Sequence, residues 1–281
     1  MLLLSSDDLA GPEAFATYTS LARELGEGAD QAVFCSGTYE VDGEGKITGE
    51  STLDIRLWAD ASEDLDIGER IGARVLRVPA NKLLAQAMTH MRNPFNFAAT
   101  CYPRSLYEVV EGYGGGALIN PDKAFAWKLL SVAEEVFYID RPLFSYRVHA
   151  SNQGAQQRQS GALKHLIDQY RATFDTPAEV LSAAQLTNDD LARAFVEHDI
   201  ALRGLKALAE GDRLLAWRHL RFGQSAYPGL VARSRLVWML RAALALGPLG
   251  TAVARRKLDA AMEEYRAGGV IETEVRKLAR G

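Results

Sequence analysis

The 281-residue sequence predicts an α/β domain followed by an all-helical region. Up to about residue 155, runs rich in β-formers alternate with segments of helical periodicity. Beyond that point strand-like runs cease and long helical stretches dominate, so the expected boundary separates residues 1–155 from 156–281. A third observation comes from the first residues. The apolar run Leu2–Leu4 leads straight into Asp7 and Asp8, and carboxylates beyond a strand's carboxyl end sit where open α/β sheets bind ligands.

Composition bounds the function. Hydrophobic residues make up 48% and charged residues 24%, as in ordinary globular proteins. The net charge of −4 leaves no global basic footprint and excludes nucleic acid as the main partner. Cys35 and Cys101 have no metal-like spacing and read as reduced, buried thiols of a cytosolic protein. "MLLL" is too short for a signal peptide and lacks a basic flank. "RLVWMLRAALALGPLGTAVARR", residues 235–256, is interrupted by Arg241 and by Gly247-Pro248, too soon to span a bilayer. It is expected to lie against the core or against a membrane surface.

Along the chain, residues 2–4 read as a strand end and Gly11-Pro12 opens a helix carrying Phe15, Leu21 and Leu25, closed by Gly26 and Gly28. "QAVFCSGTYEV" (31–41) reads as a strand and "DGEGK" as the turn after it. "TLDIRLW" is ambiguous between strand and helix start. "ARVLRV" reads as a strand and "ANKLLAQAMTHM" as a helix. A loop then enters a short strand before Tyr102-Pro103, and "RSLYEVV" forms a short helix closed by Gly112. After the glycine-rich "GYGGGALINPD", "KAFAWKLLSVA" is helical, and "EVFYI" and "LFSYRV" read as two strands separated by Arg141-Pro142. Residues 190–228 read as one tetratricopeptide-like hairpin turning at Gly211-Asp212. A solenoid needs at least three such units, so an adaptor role is not expected.

Three places could carry chemistry. Asp7 and Asp8 could hold a divalent cation through oxygen ligands, or could cap the next helix. Asp122 opens a helix, where it could cap, or could act as a general base on a hydroxyl. His149, just after a strand, could bind metal or phosphate, or could be a surface residue.

Together these segments resemble family 2 glycosyltransferases, which have the GT-A fold, a Rossmann-like α/β domain. "LLLSSDDLAGP" is similar to the family's metal segment, an apolar strand, Asp-x-Asp-Asp and a Pro-initiated helix. "RSLYEVVEGYGG" resembles the approach to the acceptor site, and "PDKAFAWKLL" the Glu-Asp motif that supplies the catalytic base. "EEVFYIDRPLFSYRVHASNQ" is similar to the domain's end, a strand followed by Tyr-Arg-x-His and Ser. The likeness covers residues 1–155. Ser5 stands where the first Asp of the metal motif usually sits, Pro121 replaces the first acid of Glu-Asp, Glu111 replaces a glycine before Gly112-Tyr113, and Lys128 falls where Arg is usual.

The resemblance implies inverting transfer of a sugar from a nucleotide-sugar donor to an acceptor hydroxyl in cell-surface glycan synthesis. Asp122 would be the base, and Asp7 with His149 would ligate Mg²⁺ or Mn²⁺. Asp8, Arg147 and His149 would contact the donor phosphates, and Gly112, Tyr113 and Gly114 would shape the site for a glycan or lipid-linked acceptor. In the family several βαβ units of about 30 residues each precede the metal segment. The chain therefore reads as the C-terminal part of such a domain, with a sheet edge open to an oligomer or a partner chain. The other reading is a non-catalytic remnant or scaffold subunit of a glycan-assembly system. Either is expected in the cytoplasm, peripheral at the inner membrane face.

Overall fold

The computed structural model describes residues 1–51, 53–113, 118, 121–148, 162–256 and 258–260. Two compact units divide the chain, Met1–Leu191 and Ala192–Gly281. The first is a mixed α/β unit and the second is helical throughout its described residues.

In the first unit β1 (Leu9–Ala10) precedes α1 (Ala14–Leu25) and a 3-10 turn (Gly26–Gln31). Then come β2 (Ala32–Val41), β3 (Ile47–Ser51), β4 (Ser62–Glu63), α2 (Leu65–Ile71), β5 (Val75–Pro79) and α3 (Ala80–Thr89). A short 3-10 turn (Phe97–Ala99), β6 (Thr100–Cys101), α4 (Arg104–Val109), α5 (Asp122–Val132) and β7 (Glu135–Arg147) complete the sheet region. Helices α6 (Ala162–Phe174) and α7 (Ala178–Ala183) follow.

The seven strands make one sheet in the order β3-β2-β7-β5-β4, with β1 added to β7 and β6 added to β2. β2 and β7 run parallel from Ala32↔Glu135 to Val41↔Arg147. The other pairs are antiparallel. β2 is buried along almost its whole length, as expected of a strand paired on both edges and covered on both faces. Phe34, Phe137, Phe144, Tyr18 and Leu21 form the core on the α1 side, where Tyr18 and Phe144 lie 5.7 Å apart.

Three expectations need correction. Residues 2–4 form no ladder strand. Leu2 makes one isolated bridge to Cys101, and the strand next to the acidic pair is β1, after it. The helix beyond Pro12 begins at Ala14, and Phe15 faces outward while Ala14, Thr17, Tyr18 and Leu21 are buried. "EVFYI" and "LFSYRV" are one continuous strand, not two. Pro142 cannot donate to a ladder, so the register against β2 shifts at Gly37, and the chain continues without turning. On its other edge β7 exchanges partners across this point, from β5 (Val75↔Ile139) to β1 (Ala10↔Phe144). β3, which pairs with β2 after the Asp42–Lys46 turn, was not expected, and residues 54–60 are turns rather than strand or helix.

In the second unit, α8 (Asn188–Phe195, straddling the boundary) leads through a π-helical stretch (Val196–Leu202) into α9 (Arg203–Ala209). Then follow α10 (Arg213–Ala226), α11 (Pro228–Arg233) and α12 (Arg235–Ala245). The turn is where the sequence places it. Gly211 has φ +92°, and the Asp212 side chain accepts the Leu215 N–H. No helix among the described residues is long and apolar enough to cross a membrane.

Phe144 is 1% exposed, so Phe144→Ala leaves a cavity beneath α1 and is expected to destabilise the first unit by about 3–5 kcal/mol. Urea unfolding followed by far-UV circular dichroism measures this.

Candidate functional site

The site is built where the parallel strands β2 and β7 end together, at Val41 and Arg147. β1 pairs its Leu9 with Ser145 and so delivers the preceding turn, Asp7-Asp8, beside Arg147. Four hydrogen bonds hold that junction. The Asp8 carboxylate accepts the Arg147 backbone N–H at 3.1 Å. The Arg147 guanidinium donates to the carbonyls of Asp7 at 3.1 Å, Asp42 at 3.1 Å and Gly43 at 2.9 Å. Ser5 Oγ donates to the Asp7 carboxylate. One arginine thus ties the N-terminal turn to the β2–β3 turn, using the fixed fork of its guanidinium.

Neither acid caps α1. Glu13 occupies the N-cap, and it makes no capping bond with its side chain. The Asp8 carboxyl is buried, and burial is the main influence raising its pKa. The Arg147 N–H works against that, the nearby Asp7 charge adds to it, and the Arg147 charge opposes it.

Asp122 and Tyr113 belong to a second cluster. Asp122 is the first residue of α5, with Pro121 at the N-cap and no side-chain cap bond. Burial raises its pKa. Tyr113 stacks on Phe125 at 4.0 Å and 22°, and Phe97 lies 5.8 Å from it. Tyr107 and Tyr102 stack in turn at 6.1 Å, and both lie against Phe125. Burial pushes the Tyr113 phenol well up, helped by Tyr102 and by the Asp122 charge. The Tyr102 phenol is pushed up to about 12, mainly by burial. The α4–Tyr113 connection depends on Gly112. Its φ is +60°, and a Cβ there would meet the Tyr107 ring at 2.6 Å.

The N-terminal segment links the two clusters. The Met1 carbonyl accepts the Tyr102 N–H at 2.9 Å, and the chain then runs to Ser5 and the acidic pair. The structure therefore brings Asp7, Asp8 and Arg147 together, and separately Gly112, Tyr113 and Asp122. His149 and Gly114 lie outside the described residues. Sequence reasoning missed Ser5 as a partner of Asp7, and Tyr102, Tyr107, Phe97 and Phe125 as the surroundings of Tyr113. Their aromatic character was visible in the sequence, but their convergence was not.

Paired carboxylate oxygens suit a hard cation such as Mg²⁺ or Mn²⁺, and the repulsion between Asp7 and Asp8 is the kind a cation relieves. Among the described residues no group of three or more His, Cys, Asp or Glu is placed to hold an ion. Neither family models nor curated proteins give a match to this chain.

Arg147→Lys keeps the charge but cannot span three carbonyls. Amide hydrogen exchange at Leu9 and Ala10 is expected to rise by tenfold or more, about 1.4 kcal/mol of lost local protection, with β2 and the first half of β7 unchanged. Equal exchange in the variant and the wild type would mean that β1 pairing alone holds the turn.

Proposed function

We propose that the chain is a family 2-type glycosyltransferase, or the acceptor-side part of one, built on a Rossmann-like GT-A scaffold and transferring a sugar from a nucleotide-sugar donor with inversion. The observation that carries this reading is the delivery of Asp7 and Asp8 to the shared carboxyl end of the parallel pair β2 and β7, where α/β sheets bind their ligands.

The residues divide the work. Asp122, with its raised pKa, accepts the proton of the attacking hydroxyl. Tyr113, held flat on Phe125, offers an aromatic face against which an acceptor sugar ring can pack, and Gly112 sets its position. Asp7 would hold Mg²⁺ or Mn²⁺, with Asp8 beside it, and a cation there takes up charge on the departing diphosphate. Arg147 fixes the turn that presents these carboxylates. His149 would assist at the metal or the phosphates.

A second reading, a non-catalytic scaffold, is favoured by one observation. The Asp8 carboxylate and the Arg147 guanidinium already bond to backbone groups, as in a structural clamp. Titration calorimetry with UDP-sugars and Mn²⁺ separates the two. The transferase reading expects micromolar binding that Asp7→Ala weakens at least tenfold. Binding weaker than millimolar, and indifferent to Asp7→Ala, would leave the scaffold.

Asp122→Asn tests the base. The folded-state pKa of Asp122 lies above its unfolded value, so its contribution to stability is fully present below the unfolded pKa and is lost as pH rises through the folded one. A neutral amide in its place escapes that loss. The substitution is expected to raise the melting temperature by a few degrees at pH 7, with the gain vanishing near pH 3, while sugar transfer falls by two to four orders of magnitude. Scanning calorimetry across pH and a donor-turnover assay read the two effects.

A further inference from the structure

The second unit carries an unassigned surface. α10 and α12 border a cavity of about 790 Å³ lined by Arg213, Leu214, Trp217, Gln224, Arg241 and Leu244, among others. Of its lining, Leu214 is 59% exposed and Trp217 47%, and on α12 Trp238, three residues before the lining Arg241, is 57% exposed. Leu246 and Leu249, just beyond α12, are exposed as well, and Gly247 next to them lies against the Arg213 guanidinium.

Charge accompanies this apolar surface. From residue 211 to 256 the sequence has eight arginines and a single acid, Asp212, although the whole chain has a net charge of −4. Two of these arginines sit on the exposed indoles, Arg241 5.0 Å from the Trp238 ring and Arg221 6.0 Å from the Trp217 ring. Arginine over tryptophan, flanked by outward leucines, is the composition of a protein face at the boundary between headgroups and acyl chains. Indoles prefer that depth, and guanidinium groups meet lipid phosphates bidentately.

We propose that the α10–α12 face docks on a membrane surface containing anionic phospholipids, with Trp217, Trp238, Leu246 and Leu249 entering the interface and Arg213, Arg221 and Arg241 meeting lipid phosphates. Charge complementarity selects this occupant. A second copy of the chain would bring the same arginines against themselves. The surface lies within the second unit, and the proposal does not depend on the transferase reading.

The test uses the full chain and vesicles of phosphatidylcholine with or without phosphatidylglycerol. Of the four tryptophans, Trp58 and Trp127 are buried, so an aqueous quencher reports on Trp217 and Trp238. Partition into anionic vesicles is expected to exceed that into neutral ones by roughly tenfold or more and to fall as salt rises. Emission should shift to the blue, with quenching suppressed. Arg221→Gln with Arg241→Gln, and separately Trp217→Ser with Trp238→Ser, should each remove most of the binding. These side chains reach solvent, and circular dichroism checks that the variants fold. Three results would overturn the proposal: equal partition into both vesicles, no binding to either, or tryptophan protection that grows with protein concentration in the absence of lipid. The last would assign the face to a second copy.

Discussion

The fork of hydrogen bonds from Arg147 organises the first unit's candidate site. β7 ends on this residue, and its backbone N–H and its guanidinium together hold two separate stretches of chain to the strand end. Both, the Asp7-Asp8 turn and the Asp42–Gly43 turn, lie outside the sheet ladders. The Asp42 carbonyl also accepts the Gly45 N–H at 3.1 Å, so the arginine adds a second donor there. Three of the four acceptors are backbone carbonyls, which fix position whatever side chains surround them, and the fourth is the Asp8 carboxylate itself.

A single long strand makes this arrangement possible. β7 crosses the whole sheet, parallel to β2 on one edge and paired with β5 and then β1 on the other. The exchange of partners happens where Asp140, Arg141 and Pro142 interrupt the ladder. Gly37 lies opposite Pro142, and a Cβ there would come within 3.3 Å of the Tyr138 hydroxyl and 3.4 Å of Pro142. Arg141 turns the interruption to use, donating to Thr17 at 3.0 Å and pairing with Glu13 at 3.2 Å, so the bulge is anchored to α1. Arg74 does the same on the other flank, bridging Glu63 and Asp140.

The carboxyls of Asp8 and Asp122 work against folding at neutral pH, since burial penalises the ionised form of each. Shifts of this kind occur at functional sites and in structural networks alike. The aromatic stack around Tyr113 supplies packing that offsets the cost locally. In the second unit Asp199 is nearly fully buried, its carboxylate pairs with Arg203 at 2.6 Å, and its backbone carbonyl meets His219 Nδ1 at 2.7 Å.

Much of the architecture was legible in the sequence. The order of α1, β2, β5, α3, α4, α5 and the later helices follows from periodicity, turn glycines and caps, which are local signals. The Gly211-Asp212 turn and the stop at Tyr227-Pro228 needed nothing beyond the residues themselves. What failed were judgements that depend on partners. Leu2–Leu4 is as apolar as a strand but finds no ladder. Pro142 signals a break, yet the strand runs through it, because its two neighbours can shift register and change identity. The chemical types at the candidate site, acids, an arginine and tyrosines, were likewise set by the sequence. That Arg147 would clamp Asp7 and Asp8, and that Tyr113 would lie on Phe125 beside Asp122, was decided only by tertiary structure. Arg147 and the acidic pair, about 140 positions apart, meet through the pairing of β1 with β7, which no local pattern encodes.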